Sequence, residues 1–120
     1  MHIRKTIMTF SLLCLPLAAV AGQAPNRNGD ALVKMCQGAE RVPALSVMCH
    51  SYLNGFLDAS DYGARHGGKS EKFCLGENER EQLPASLVAW IKDHPDALKQ
   101  EAGEALTRML DDRFPCGKKR

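Results

Sequence analysis

The sequence has little net charge and few aromatic residues. Its 120 residues carry 16 Lys and Arg against 14 Asp and Glu, and aromatic side chains make up 6% of the chain. Proteins that bind nucleic acids or anionic membranes depend on a basic surface that displaces counterions. The charge balance therefore argues against both kinds of partner. The one locally basic segment, Lys118-Lys119-Arg120, is interpreted as a solvated terminus.

Residues with the spacing of a catalytic or metal site are also missing from the sequence. Beyond the first 21 residues the histidines are His50, His66 and His94, and no two of them are three or four apart, as a helical metal pair requires. No cysteine pair has the gap of about two to four residues that structural zinc sites favour. We therefore predict that the protein is not an enzyme and binds neither a metal ion nor a cofactor.

The first 21 residues are typical of a secretory signal peptide. Basic residues precede an acid-free apolar stretch, 7–20, that ends in the small-residue triplet Ala19-Val20-Ala21. This stretch is shorter than the roughly 20 residues that a membrane-spanning helix needs, so a retained membrane anchor is the weaker interpretation. We predict cleavage after Ala21, which leaves residues 22–120 as a single domain in the bacterial periplasm.

Four cysteines remain after the predicted cleavage, namely Cys36, Cys49, Cys74 and Cys116. An even number in an oxidising compartment predicts two disulfides, which help a small domain whose apolar core is modest. The positions of the predicted helix ends favour Cys36 with Cys49 and Cys74 with Cys116, and loop-closure entropy assigns them about 3 and 4 kcal/mol. The sequence leaves the other two pairings open.

Apolar residues recur three and four apart and predict an all-α fold, a small disulfide-stapled bundle of about four helices. In the third predicted helix, Pro84 either kinks the helix or marks its true first turn. In the second, Gly55 and Ala59 lie on one face, where a neighbouring helix could approach closely. The predicted helices run from about Gly29 to Gln37, from Pro43 to about Ala64, from an N-cap at Asn78 to about Asp93, and from Pro95 to about Phe114.

The chain contains an ordered set of short segments, namely Cys49-His50-Ser51-Tyr52-Leu53-Asn54-Gly55-Phe56-Leu57-Asp58-Ala59, Phe73-Cys74-Leu75, Gln82-Leu83, His94-Pro95 and Phe114-Pro115-Cys116. In this order and spacing they resemble the Rap/Tai family of type VI secretion amidase immunity proteins. The resemblance covers about Gly29 to Cys116, and the chain departs from it at Gly76-Glu77-Asn78 and at Pro84. It implies a periplasmic helical protein, often a homodimer, that binds a peptidoglycan amidase effector and blocks its active site.

The polar segment Gly63–Lys72 and the turn at His94 are the predicted contact regions for such a toxin, because they project polar side chains from a stapled bundle. An alternative is a small periplasmic disulfide-bonded helical chaperone, which should expose apolar surface at low pH. A hydrolase is a third and weaker alternative. The candidate toxin-contact residues are Tyr62, Arg65, His66, Lys69 and His94.

Overall fold

The protein is a bundle of five α-helices and two 3₁₀ turns, seen in a computed structural model that describes residues 27–117. Within this range there is no strand, and the only β-type pairs are two isolated bridges. The all-α prediction is therefore confirmed, whereas the predicted signal peptide lies outside the described residues. The helices are α1 (Gly29–Gln37), α2 (Pro43–His66), α3 (Glu77–Glu81), α4 (Leu83–Asp93) and α5 (Ala102–Arg113), and the 3₁₀ turns are Gly38–Glu40 and Pro95–Lys99.

The first two helices begin where the sequence predicts. The Asn28 side chain caps α1 by accepting a hydrogen bond of 2.9 Å from the Ala31 backbone N–H. Pro43 occupies the start of α2, where its missing N–H leaves no helical bond unmade. The second helix continues to His66, two residues beyond its predicted end at Ala64, so residues 63–66 are helical and the predicted polar segment begins inside α2.

The predicted third helix is divided at Gln82 into α3 and α4. Pro84 stands near the start of α4, which confirms the interpretation that it marks a true first turn. The cap of α3 differs from the prediction, since Gly76 precedes the helix and its N–H donates to the Glu79 carboxylate at 2.9 Å. Asn78 is therefore a helix residue and not the N-cap.

The predicted fourth helix is interrupted after the 3₁₀ turn that starts at Pro95, and α5 begins only at Ala102. The interruption is a tertiary contact: the Gly29 N–H donates to the Gln100 carbonyl at 2.8 Å, and the Ala102 N–H donates to the Arg27 carbonyl at 2.7 Å. A Cβ on Gly29 would fall against the Ala97 carbonyl oxygen, so this approach requires glycine.

One apolar core holds the helices together. Trp90 is 1% exposed, and its indole N–H donates to the Asp112 carboxylate at 2.9 Å. Helices α1, α2, α4 and α5 each contribute side chains from the face that the helical repeat brings inward. Phe73, from the segment before α3, also enters this core. The larger core residues on the helices are Leu32, Val33, Leu53, Leu57, Leu83, Leu87, Trp90, Ile91, Leu106, Met109 and Leu110.

Two disulfides staple the bundle in the arrangement that the helix ends favour. Cys36–Cys49 joins α1 to α2 inside the core, and Cys74–Cys116 joins the segment before α3 to the end of α5. No helix among residues 27–117 is both long and apolar enough to cross a membrane.

Candidate partner-binding surface

Helix α2 carries the large apolar side chains that the fold leaves exposed. Among the described residues they are Val42 at the N-cap, then Val47, Met48, Tyr52 and Tyr62, with exposed fractions from 39% to 66%. Isolated exposed apolar residues are ordinary, but a group on one helix is typical of an interaction surface.

The exposed stripe along α2 is continuous over more than four turns of the helix. We call it the outer face, and it consists of Ala44, Met48, Ser51, Gly55, Ala59 and Tyr62, all exposed. The prediction that a neighbouring helix packs at Gly55 and Ala59 is not met within the described chain, because a Cβ on Gly55 would meet no atom within 4 Å. The small residues at the middle of the outer face are open.

The outer face has the same spacing on both sides of Gly55. Ser51 and Ala59 each lie four residues away, and Met48 and Tyr62 each lie seven residues away. These separations place all five residues on one side of an α-helix. A second copy of the helix in antiparallel orientation could thus cross at Gly55 with equivalent contacts on both sides.

The C-terminal end of α2 brings together four of the five predicted toxin-contact residues. Tyr62, Arg65 and His66 are exposed on its last two turns, and Lys69 follows directly, with its N–H donating to the Ala64 carbonyl at 2.9 Å. The rings of Tyr62 and His66 stack with their centroids 3.8 Å apart, and His66 Nδ1 lies 2.9 Å from the Tyr62 carbonyl oxygen. The result is a compact aromatic and cationic group, which we call the helix-end cluster.

The fifth predicted contact residue, His94, belongs to a different group. Its ring stacks on Trp90 with centroids 4.0 Å apart, and its Nδ1 lies 2.9 Å from the Trp90 carbonyl oxygen. Together with Arg108, Asp111 and Asp112 these two residues line a shallow pocket.

Ion pairs attach the segment between α2 and α4 to the rest of the bundle. Lys72 Nζ lies 3.2 Å from the Asp111 carboxylate, which also borders the His94 pocket. Arg80 on α3 reaches Asp58 and Asp61 on α2, at 3.4 Å each. The contact explains why a carboxylate stands at position 58 in an otherwise apolar turn of α2.

Sequence reasoning missed the role of Arg80, because its partners are 19 and 22 residues away and no local pattern links them. It also missed that the apolar residues of α2 divide between a buried and an exposed face. A signal for this division was present, since Val47, Met48 and Tyr52 extend the apolar surface beyond the stripe of one core-facing side.

Among the described residues, one carboxyl group has a shifted pKa and one group of side chains has the spacing of metal ligands. The Arg108 guanidinium donates to Asp96 at 2.8 Å and holds the pKa of that exposed carboxyl below its usual range. The one described group with metal-ligand spacing is Glu71 with Cys74 and Cys116, whose ligand atoms lie within 4.8 Å of one another. Both cysteines are joined in the disulfide, and a disulfide offers no thiolate to a metal ion.

Comparisons with known proteins point to one family. No curated protein and no solved structure matches the chain. The sequence model of the Rap1a immunity proteins, however, matches residues 28–116, which include all five helices and both disulfides. The chain therefore belongs to the Rap1a family of immunity proteins.

Proposed function

We propose that this immunity protein acts in the periplasm, where it binds a type VI secretion peptidoglycan amidase and blocks the active site of the enzyme. Membership of the Rap1a family supports the immunity role. Two disulfides are compatible with an oxidising compartment, which is where an enzyme that cleaves peptidoglycan acts. The predicted signal peptide of residues 1–21 would deliver the chain there.

The helix-end cluster is the proposed contact with the amidase. The observation that carries the proposal is that Tyr62, Arg65, His66 and Lys69 lie exposed at one end of a helix whose other side is buried in the core. Aromatic and arginine side chains are over-represented among the residues that dominate protein interfaces. The disulfides hold this group on a rigid scaffold, which reduces the entropy lost on binding.

Charge reversal at the helix-end cluster tests this contact. We expect the double substitution Arg65→Glu with Lys69→Glu to lower the affinity for the amidase encoded by the adjacent reading frame by about 10- to 100-fold. Isothermal titration calorimetry would measure the affinity, and release of cleaved peptides from purified peptidoglycan would measure inhibition.

A matched control reverses two lysines elsewhere. Lys34→Glu with Lys99→Glu changes the net charge equally but alters α1 and the second 3₁₀ turn, and we expect the affinity to stay within about twofold of the parent protein. Equal losses in the two variants would indicate general charge steering and would reject the helix-end cluster as the contact. Failure of the unsubstituted protein to inhibit would reject the amidase as its target.

The outer face of α2 is the proposed contact between two copies of the chain. Its spacing about Gly55 suits a two-fold interface, in which the same patch of each copy meets itself. Small residues at the centre allow the helices to approach closely, and Met48 of one copy would lie near Tyr62 of the other. In this arrangement Tyr62 lies at the border between the dimer contact and the amidase contact. Arg65 and Lys69 stay outside the dimer contact and are free to bind the amidase.

Sedimentation equilibrium tests the homodimer. Replacing Ser51 with Arg places a bulky charge at the outer face without touching the core, so we expect the dimer to dissociate while the helical circular dichroism is unchanged. A parent protein that stays monomeric at about 100 μM, a concentration that even a weak interface of micromolar Kd would populate, would reject the homodimer.

A further inference from the structure

The two disulfides differ in their exposure and in the parts of the fold they join. Cys36 and Cys49 are 4% and 0% exposed, and both lie within helices. Cys74 is exposed and Cys116 is partly exposed, and both lie outside the helices. Reduction of a disulfide requires a thiolate to reach one of its sulfurs, so access decides which bond opens in the folded protein.

The exposed disulfide closes a segment with few other attachments. We call residues 67–76 the connecting segment, and each residue from Gly67 to Lys72 is exposed. Hydrogen bonds join its two ends to α2 and α3, at Gly67, Lys69 and Gly76. Between those ends its described attachments are the buried Phe73, the partly buried Leu75, the ion pair of Lys72 with Asp111, and two backbone hydrogen bonds to the chain after α5. Those bonds run from the Cys74 N–H to the Phe114 carbonyl at 2.9 Å and from the Cys116 N–H to the Lys72 carbonyl at 3.2 Å.

We infer that Cys74–Cys116 is a redox-sensitive staple, which a dithiol reductant opens in the folded protein while Cys36–Cys49 stays closed. Opening releases the connecting segment and leaves the rest of the core intact. The rest of the core remains, because Phe73 is the one buried residue that this segment contributes to it, whereas Cys36–Cys49 and the buried faces of α1, α2, α4 and α5 pack against one another. The inference concerns regulation, which is separate from the identity of the toxin.

The chemistry is an ordinary exchange of thiols and disulfides. One thiolate of the reductant attacks Sγ of Cys74, the more exposed residue of the pair, and the bond to Cys116 breaks, so that Cys116 leaves as a thiolate and takes up a proton. The second thiol of the reductant then attacks the mixed disulfide. The products are two protein thiols and the cyclic disulfide of the reductant, which is the oxidised partner.

The carboxylate of Glu71 slows the first step of this exchange. This carboxylate lies within 4.8 Å of both sulfurs, and it repels an incoming thiolate and disfavours the leaving thiolate of Cys116. We expect Glu71→Gln to accelerate opening by dithiothreitol by about two- to tenfold at low salt, and by less at high salt where the charge is screened. Glu77→Gln, an exposed carboxylate on α3, is the matched control and should leave the rate unchanged.

Timed alkylation and mass spectrometry test the staple in the full mature protein. With millimolar dithiothreitol in the absence of denaturant, we expect peptides containing Cys74 and Cys116 to become labelled about 100-fold faster or more than those containing Cys36 and Cys49, because the inner pair requires opening of the core. Amide hydrogen exchange of the reduced protein should rise within residues 67–76 and stay at its original level in α1, α2 and α4.

Two results would overturn the inference. One is simultaneous labelling of all four cysteines, which would mean that reduction follows global unfolding. The other is an unchanged exchange rate in residues 67–76 of the variant Cys74→Ser with Cys116→Ser, which would mean that the disulfide does not hold the connecting segment. Neither result depends on the amidase.

A consequence for binding rests on the proposed function. Lys69 belongs to both the connecting segment and the helix-end cluster, so the reduced protein should bind the amidase several-fold more weakly than the oxidised protein. If the oxidised protein does not bind, the proposed function fails and the staple is still judged by labelling and exchange. If labelling is selective but affinity is unchanged, the regulatory consequence is rejected.

Discussion

The inner and outer faces of α2 both carry large apolar side chains but have opposite surroundings. Cys49, Leu53 and Leu57 point into the core and are at most 1% exposed, whereas Met48 and Tyr62 on the outer face are 55% and 59% exposed. Burial of apolar surface stabilises by roughly 25 cal/mol per Å², and the inner face has already gained that energy from folding. The outer face gains no such energy from folding, so its apolar area remains available for burial against a partner.

Truncating one apolar residue on each face should give the largest difference. We expect Leu53→Ala to lower the free energy of unfolding by about 2–5 kcal/mol, because it leaves a cavity in the core. Met48→Ala should change it by less than about 0.5 kcal/mol in the monomer. Urea unfolding followed by the fluorescence of the buried Trp90 measures both, and equal losses would show that the outer face is not free.

An alanine in place of glycine should change stability in opposite directions at two positions. At Gly55 we expect a gain of about 0.5–1 kcal/mol, because alanine is the better helix former and its Cβ meets no neighbour. At Gly29 we expect a loss of at least about 1 kcal/mol, because the Cβ collides with the Ala97 carbonyl. Thermal unfolding at low protein concentration, where a dimer dissociates, compares them.

The smallest expected effect concerns Asp96, an exposed polar contact that belongs to neither face. The hydrogen bond from Arg108 lowers its pKa in the folded state. The contact therefore stabilises the fold above the unfolded pKa of about 4, and this contribution disappears as the pH falls through the lower folded pKa. We expect the melting temperature of Asp96→Asn to lie slightly below that of the parent at about pH 7 and to match it below about pH 3. A difference that persists at the lower pH would show that the carboxylate charge is not the cause.

Local patterns predicted the parts of this protein that depend on neighbours in sequence. The bounds of α1 and the start of α2 at Pro43 follow from apolar periodicity and from the tolerance of a first turn for proline. The interruption before Ala102 was missed because Gln100 and Glu101 are extended and pair through their backbones with residues about 70 positions earlier. No pattern among neighbours in sequence indicates such a contact. The sequence singled out Tyr62, Arg65, His66 and Lys69 together with His94 as candidate contacts. It did not predict that the first four lie together while His94 lies in a different group.

The sequence by itself determined that the chain is helical, that two disulfides staple it and that it resembles immunity proteins. Each of these follows from a period, a count or an ordered motif along the chain. Only the tertiary structure decided which apolar residues of α2 are buried and which disulfide is exposed. The physical reason is that a helical repeat fixes the angle of each side chain around its own axis, whereas burial depends on which of those angles meets another helix.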